Sequence, residues 1–297
     1  MTDKAPQDLS ISVIVPVGPS SLGLREQLHA LAPQLTGNRN RELILSVNDE
    51  LVLHSKELGG FSEFLLNSNV NFSILSCIEK VGPSFARNAA WKEAKGDLLL
   101  FCDSDDLVEK DWVEQLSAGL SSFELVGGSL SYVRLNSKAI RKWQPDRSLG
   151  LSTKFGFLPY VATCNMGVRS EVMRELNGFD ETFATGEDID FCWRVQFAGH
   201  HLGFIREAQV NYRLRSTFRG SFWQAYHYAI GDVALRAKYL RKIPKSLSSN
   251  LGWICIYSLA SAIASMFQLN DHRKFASKIG YFLGLATGLL IKRQPSR

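Results

Sequence analysis

A chain of 297 residues with 45% apolar and 21% charged side chains can bury a large core, which excludes disorder as its main state. Its five cysteines are odd in number, lie far apart and form no CxxC, so neither a disulfide framework nor a zinc cluster is expected, and a reducing, cytosolic setting fits. The net charge of +5 is uneven: residues 236–297 carry eleven Lys or Arg against one acid, Asp271, which leaves −5 on residues 1–235. Residues 1–10 contain Asp3 and Asp8 and no apolar run, so no secretory signal is expected there.

Residues 10–17 (SISVIVPV) form a β-branched apolar run that predicts a buried parallel strand. A helix is expected over 25–35, a strand over 42–47, a helix over 50–66 and a strand over 71–77. Pro83 suits the first turn of a helix over 84–95, which Gly96 stops before a strand at 97–102. This alternation predicts an α/β fold with right-handed βαβ units, a mostly parallel sheet and helices on both faces. Ligands then lie beyond the carboxyl ends of the strands, so residues 16–21, Asn48, Asp49 and residues 103–106 share one rim. Past Leu107 the pattern predicts a helix over 111–120 and a strand over 124–135, leaves 142–160 unassigned, and predicts helices over 170–176, 188–198 and 218–240.

Two acidic groups carry chemistry. Asp103-Ser104-Asp105-Asp106 crowds three carboxylates at a strand end. Such crowding is relieved by a hard divalent cation shared with a diphosphate, or else reflects acidic capping of a helix. Gly186-Glu187-Asp188-Ile189-Asp190 opens a helix, where a carboxylate either caps the helix or takes a proton from an attacking hydroxyl. Arg87 lies on the helix after Gly82-Pro83; on a regular crossover it is on the strand-end side, where it either reaches a phosphate or base or belongs to a solvated helix face.

Five ordered motifs, ISVIVPV, ELILSVND, GPSFARNAAWKEAKGDLLLFCDSDD, CNMGVRSEVMRELNGFDE and GEDIDFCWRVQFAGH, cover roughly residues 10 to 215. Together they resemble the family-2 inverting glycosyltransferases of the GT-A fold. Composition sets apart a basic, apolar helical segment over 241–297, and the resemblance implies a catalytic domain, placed over 1–240. It implies a nucleoside contacted by Pro16, Val17, Asn48 and Asp49, a nucleotide contact at Arg87, and Asp103 and Asp105 holding a divalent cation (Mn2+ or Mg2+) and the diphosphate of the donor. Asp188 is the implied base, with Glu187 as neighbour or alternative. Asn165, with Met166-Gly167, either sits where relatives bind donor sugar or acceptor or forms a structural turn, and Arg213 and Arg215 either face the diphosphate or lie on solvated surface. Two departures stand out: Asn48-Asp49 replaces a pair of Asp residues found in many members, and Asn211 stands where many carry a metal-binding His. His227 is a lone His on an aromatic helix, where packing is the ordinary role.

In the tail, residues 251–269 are free of charge and residues 275–291 contain one Lys, both near the length that spans a bilayer. Gly280, Gly284 and Gly288 form a double small-xxx-small pattern, and Ser258, Ser261, Ser265 and Gln268 share one stripe. A helical hairpin turning at 270–274, flanked by Arg241, Lys242, Lys245, Lys292, Arg293 and Arg297, predicts attachment to the cytoplasmic face of a membrane; a soluble helical subdomain is the alternative. Nucleic acid is not expected as a partner. The function expected is transfer of a sugar from a nucleoside diphosphate sugar, UDP-sugars favoured, to a glycan or lipid-linked acceptor in cell-surface glycan synthesis. The alternatives are an inactive glycosyltransferase-like scaffold subunit and a nucleotidyltransferase.

Overall fold

The computed structural model describes residues 9–19, 23–80, 82–142, 150–244, 251–266 and 272–293. Expectations that fall on 20–21, 143–149, 245, 267–271 and 294–297 lie outside the described residues. The first part of the chain alternates β1 (Ile11–Val17), α1 (Leu24–Leu35), β2 (Arg41–Val47), α2 (Glu50–Leu53), α3 (Lys56–Asn67), β3 (Phe72–Ser76), α4 (Pro83–Glu93) and β4 (Leu98–Cys102). There follow β5 (Leu107–Val108), α5 (Trp112–Gly119), β6 (Leu125–Ser131), α6 (Lys138–Arg141), β7 (Ser152–Thr153), β8 (Pro159–Tyr160), β9 (Asn165–Arg169), α7 (Ser170–Glu175), α8 (Glu187–Phe197) and β10 (Leu202–Asn211). Three helices close the chain: α9 (Phe218–Lys238), α10 (Leu251–Met266) and α11 (His272–Arg293).

Eight strands build the main sheet in the order β3-β2-β1-β4-β9-β6-β10-β5. β1 pairs in parallel with β2 and β4, and β2 with β3. The continuous apolar runs have a direct cause, since both faces of these strands are covered. Val13, Val15 and Val17 of β1 pack with Leu24, Leu28 and Leu31 of α1 on one face, while Ile14 joins Ala90 of α4 and Phe191 and Val195 of α8 on the other. β2 and β4 alternate in the same way, Leu43 and Leu45 against Ile44, and Leu98 and Leu100 against Leu99 and Phe101.

The second half departs from simple alternation. β9 inserts antiparallel between β4 and β6, pairing Cys102 with Asn165 and Gly127 with Met166. No strand is expected there from sequence, because five residues including Asn165 and Gly167 give no β-branched run; the strand exists through its two neighbours. It places Cys164 and Asn165 beside the carboxyl end of β4. The helix expected over 50–66 is two helices: Asp49 caps α2 by accepting from Val52 N at 3.0 Å, and Ser55 caps α3 by accepting from Leu58 N at 3.1 Å.

The closing helices are built onto the sheet domain through α9. A Cβ at Gly280 or Gly284 would collide with the carbonyls of Phe222 and Tyr226, and one at Gly288 would sit 3.1 Å from Val233. The small-residue stripe of α11 thus receives the backbone of α9 at close range. Among the described residues, one stretch, His272–Ile291, is long and apolar enough to cross a bilayer by length and composition, and Ile254–Ser265 is a shorter apolar helix.

Candidate active site

The site begins where β4 ends. Asp103 follows Cys102, and Arg87 of α4 reaches it: Nη2 donates to Asp103 Oδ1 at 2.7 Å, and Nη1 donates to Glu187 Oε1 at 3.0 Å. Arg87 is 3% exposed, so one buried guanidinium joins the acidic motif after β4 to the first turn of α8. Gly186 enters α8 with φ 88, a left-handed turn that aims Glu187 and Asp188 back at the strand ends. Burial, reinforced by the Asp188 charge and opposed by Arg87, pushes the Glu187 carboxyl up to about 7.

Asp105 and Asp106 face the segment after β10. Arg215 Nη1 donates to Asp105 Oδ2 at 3.1 Å, Arg213 Nε donates to the Asp105 carbonyl at 2.8 Å, and the Arg213 amide donates to Asp106 Oδ1 at 2.7 Å. Gly23, with φ +93, closes on the other side, where a Cβ would lie 3.1 Å from the Asp105 backbone. Burial raises the Asp105 carboxyl and, more strongly, that of Asp106, which is 1% exposed. Asp106 Oδ2 is buried without a hydrogen-bond partner, and Asp103, Asp106 and Cys164 bring ligand atoms within 4.8 Å of one another. Crowded carboxylates with one orphaned oxygen suit a hard, oxygen-seeking divalent cation, so the residues present fit such an ion. The Cys164 thiol is held protonated by burial and then by Asp106, and is the soft member of the group.

Other residues singled out in the sequence fall into separate places. Pro16 and Val17 end β1, all buried, and the Val17 carbonyl accepts from the Asn48 amide at 2.9 Å. The Asn48 side chain accepts from Gly82 N at 2.8 Å and donates to the carbonyls of Cys77 and Lys80, which clamps the loop leading to Arg87. Asn165 is 2% exposed; its amide donates to the Ser129 and Ala208 carbonyls at 2.9 and 2.8 Å and accepts from Trp112 Nε1 at 2.8 Å. All its polar groups are therefore spent pinning β9 to β6, β10 and α5. Asn211 donates to the Leu107 carbonyl at 3.3 Å and to Glu109 Oε1 at 2.7 Å, so its amide nitrogen is spent on β5 and the residue following it. His227 stacks with Trp223, centroids 5.8 Å apart, on the wall of the cleft.

Arg87, Asp103, Glu187, Asp188 and Arg215 line one end of a cleft of about 670 Å³. One face of α9, Gly220, Trp223, Gln224, His227, Tyr228 and Asp232, forms its wall at helical spacing. Two contributors are not evident from sequence motifs. Lys154, from the unassigned segment, pairs with Asp232 at 2.6 Å inside the cleft. Gln27 is wholly buried, donates to the Asp103 carbonyl at 3.1 Å and accepts from Val108 N at 2.9 Å, holding the acidic turn. Its signal is present in the sequence, as a polar residue on the apolar stripe of α1.

The helix-flanked sheet with an acidic rim defines the GT-A class of fold. A mannosyltransferase from Pyrobaculum calidifontis, solved with GDP-Man and Mn2+, superposes with TM-score 0.64 at 14% identity over 98% of this chain and 91% of that one. Residues 1–349 of S. aureus TarS, solved with UDP-GlcNAc, superpose at 0.52 and 15% identity over 97% and 93%. Residues 12–176 match the model of glycosyl transferase family 2, and residues 98–290 that of glycosyl transferase family group 2. The chain belongs to glycosyl transferase family 2. A pre-mycofactocin glycosyltransferase of Mycobacterium tuberculosis is 27% identical over 276 residues, 89% of this chain and 56% of that protein, so the chain spans little more than half of that relative. The amylovoran biosynthesis glycosyltransferase AmsB of Erwinia amylovora is 24% identical over 225 residues, 71% of this chain and 72% of that protein.

Proposed function

We propose that the chain transfers a glycosyl group from a nucleoside diphosphate sugar to an acceptor hydroxyl with inversion at the anomeric carbon. The observation that carries this reading is Arg87 bridging Asp103 and Glu187 at one end of the cleft. That bridge sets a group suited to a diphosphate beside a carboxylate pair suited to a proton. In this reading the nucleoside lies against Asp49 and the loop that Asn48 clamps, at the ends of β1 and β2, with buried Pro16 and Val17 shaping that rim from within, and Arg87 and Asp103 face the nucleotide. Asp188 takes the proton from the acceptor hydroxyl as that oxygen attacks opposite the leaving diphosphate, and Glu187 keeps Arg87 in register. A divalent cation, Mn2+ or Mg2+, on Asp103 and Asp105 with Asp106 behind them would neutralise charge growing on the diphosphate.

Nucleotides seen in fold neighbours, GDP-Man and UDP-GlcNAc, support a nucleoside diphosphate sugar as donor, and a UDP-sugar is the donor proposed. Relatives named for amylovoran and minor teichoic acid biosynthesis support a glycan or lipid-linked acceptor. Residues 1–240 act as the catalytic unit. α11 braces α9, and in this reading residues 241–297 rest on the cytoplasmic face of a membrane, where the exposed Ile256, Tyr257 and Ile263 of α10 would meet lipid.

The test needs no known acceptor. Slow hydrolysis of UDP-GlcNAc, UDP-Glc and GDP-Man is followed by proton NMR of the released sugar, with and without Mn2+. An anomer opposite to that of the donor, lost in Asp188→Asn while circular dichroism is unchanged, is the expected result; a retained anomer would sink inversion, and full activity in Asp188→Asn would remove the base.

A further inference from the structure

Asp103 and Asp105, the two carboxylates assigned to the cation, are each already held by an arginine, and the two arginines differ. The Arg87 side chain is 4% exposed and bonded at two nitrogens, so it is fixed. The Arg215 side chain is 48% exposed, lines the cleft, and holds Asp105 Oδ2 through a single nitrogen at 3.1 Å. The backbone of Asp105 is locked independently, by Arg213 Nε on its carbonyl and by the close approach of Gly23. Releasing Arg215 therefore leaves the Asp105 backbone in place, with its carboxylate free to take another cation. A guanidinium and a divalent cation neutralise the same carboxylate oxygen, and both also suit diphosphate oxygens. Beside this pair, the buried Asp106 Oδ2 has no donor.

We propose that Arg215 is the resident counter-ion of Asp105 and a diphosphate-binding residue of the same site. In the cleft without nucleotide its guanidinium occupies Asp105 Oδ2. When a nucleoside diphosphate enters, that guanidinium passes to the diphosphate oxygens and leaves Asp105 Oδ2 to the cation. This rests on the donor site proposed above. Its consequence is thermodynamic: nucleotide and cation bind as a positively coupled pair, and the coupling is equal in both directions.

The test reads Mn2+ binding by loss of the free-ion electron paramagnetic resonance signal, in the full chain and in Arg215→Gln, Arg215→Lys and Asp105→Asn. Titrations are run with Mn2+ alone and with saturating UDP or GDP, and nucleotide affinity is measured by calorimetry. Removing a competing, partly exposed counter-ion tightens Mn2+ alone about two- to fivefold in Arg215→Gln. Losing a charge-assisted contact weakens the nucleotide at least about tenfold in the same variant. The gain in Mn2+ affinity on adding nucleotide shrinks accordingly, and Arg215→Lys falls between. Equal affinity for Mn2+ alone in wild type and Arg215→Gln overturns the counter-ion role. Unchanged nucleotide affinity in Arg215→Gln overturns the handover. Wild-type Mn2+ binding in Asp105→Asn overturns both. If no nucleotide binds any variant, the donor-site reading fails instead, while the comparison of Mn2+ alone still decides the role of Arg215 toward Asp105.

Discussion

The Tyr239 hydroxyl donates to Asp190 Oδ1 at 2.7 Å, and so ties the residue after α9 to the first turn of α8. Asp190 is fully buried and also meets Arg194 Nε at 2.8 Å and Lys238 Nζ at 2.6 Å. Its two helical neighbours, Glu187 and Asp188, are the proposed working carboxylates, so this anchor sets their height above the strand ends. Tyr239→Phe removes one donor to a buried charge while keeping the ring against Trp193, and lowers unfolding free energy by about 1.5–3 kcal/mol. Urea denaturation measures the loss. Nucleotide affinity stays within about twofold, because Arg194 and Lys238 still hold Asp190 and keep the first turn of α8, with Glu187 and its partner Arg87, in place.

The raised Glu187 carboxyl makes stability depend on pH in a stated direction. Its ordinary value is 4.5 and its folded value is about 7, so the folded chain binds the proton more tightly than the unfolded chain. Linkage then places this contribution in full below about pH 4.5 and removes it as pH rises through about 7. Glu187→Gln keeps an oxygen for Arg87 and cannot titrate. The difference in unfolding free energy between wild type and Glu187→Gln, measured from pH 5 to pH 8, therefore slopes against the wild type as pH rises. A flat difference would mean that Arg87 holds Glu187 ionised throughout.

α11 predicts a graded response to one added methyl group. A Cβ at Gly284 would meet the Tyr226 carbonyl, which is helix backbone and has little room to retreat, whereas a Cβ at Gly288 would meet only Val233 side-chain atoms at 3.1 Å or more. Gly284→Ala therefore separates α11 from α9 and costs about 1–3 kcal/mol, while Gly288→Ala is near neutral. Since the opposite face of α9 lines the cleft, Gly284→Ala also slows transfer. Thermal unfolding of the two variants side by side checks the order; equal effects would deny the close packing of α11 on α9.

Much of this architecture is legible in the sequence because buried strands leave unmistakable apolar runs. β1, β2 and β4 carry unbroken apolar stretches, residues 13–17, 43–45 and 98–102, where both faces are covered, and the acids after β4 follow from chain order alone. What escapes is whatever depends on a neighbour. β9 is a strand because β4 and β6 flank it, and nothing in Asn-Met-Gly-Val-Arg says so. Asn165 reads as a ligand candidate in sequence and is a three-bond internal pin in the structure. The pairing of Arg87 with both Asp103 and Glu187 spans 100 residues of chain, beyond the reach of any spacing rule.

Asn48 gives the sharpest test of a sequence departure. The family resemblance leads one to expect Asp at this position, and on that basis alone Asn48→Asp would look conservative. Here the side chain acts as donor and acceptor at once: its oxygen takes the Gly82 amide at 2.8 Å, and its nitrogen serves the Cys77 and Lys80 carbonyls. A carboxylate can keep the first bond but cannot donate, so it turns an oxygen toward two carbonyl oxygens and repels them. The loop it clamps leads directly into α4, whose Arg87 stands at the centre of the site. Asn48→Asp therefore costs about 1–3 kcal/mol of stability. It also weakens nucleoside diphosphate binding by loosening the approach to Arg87, whereas Asn48→Ala loses the clamp without adding repulsion and falls between Asp and wild type. Calorimetry with UDP and urea denaturation of both variants give the order directly; an Asp variant as stable as wild type would mean that the loop is held by contacts other than Asn48.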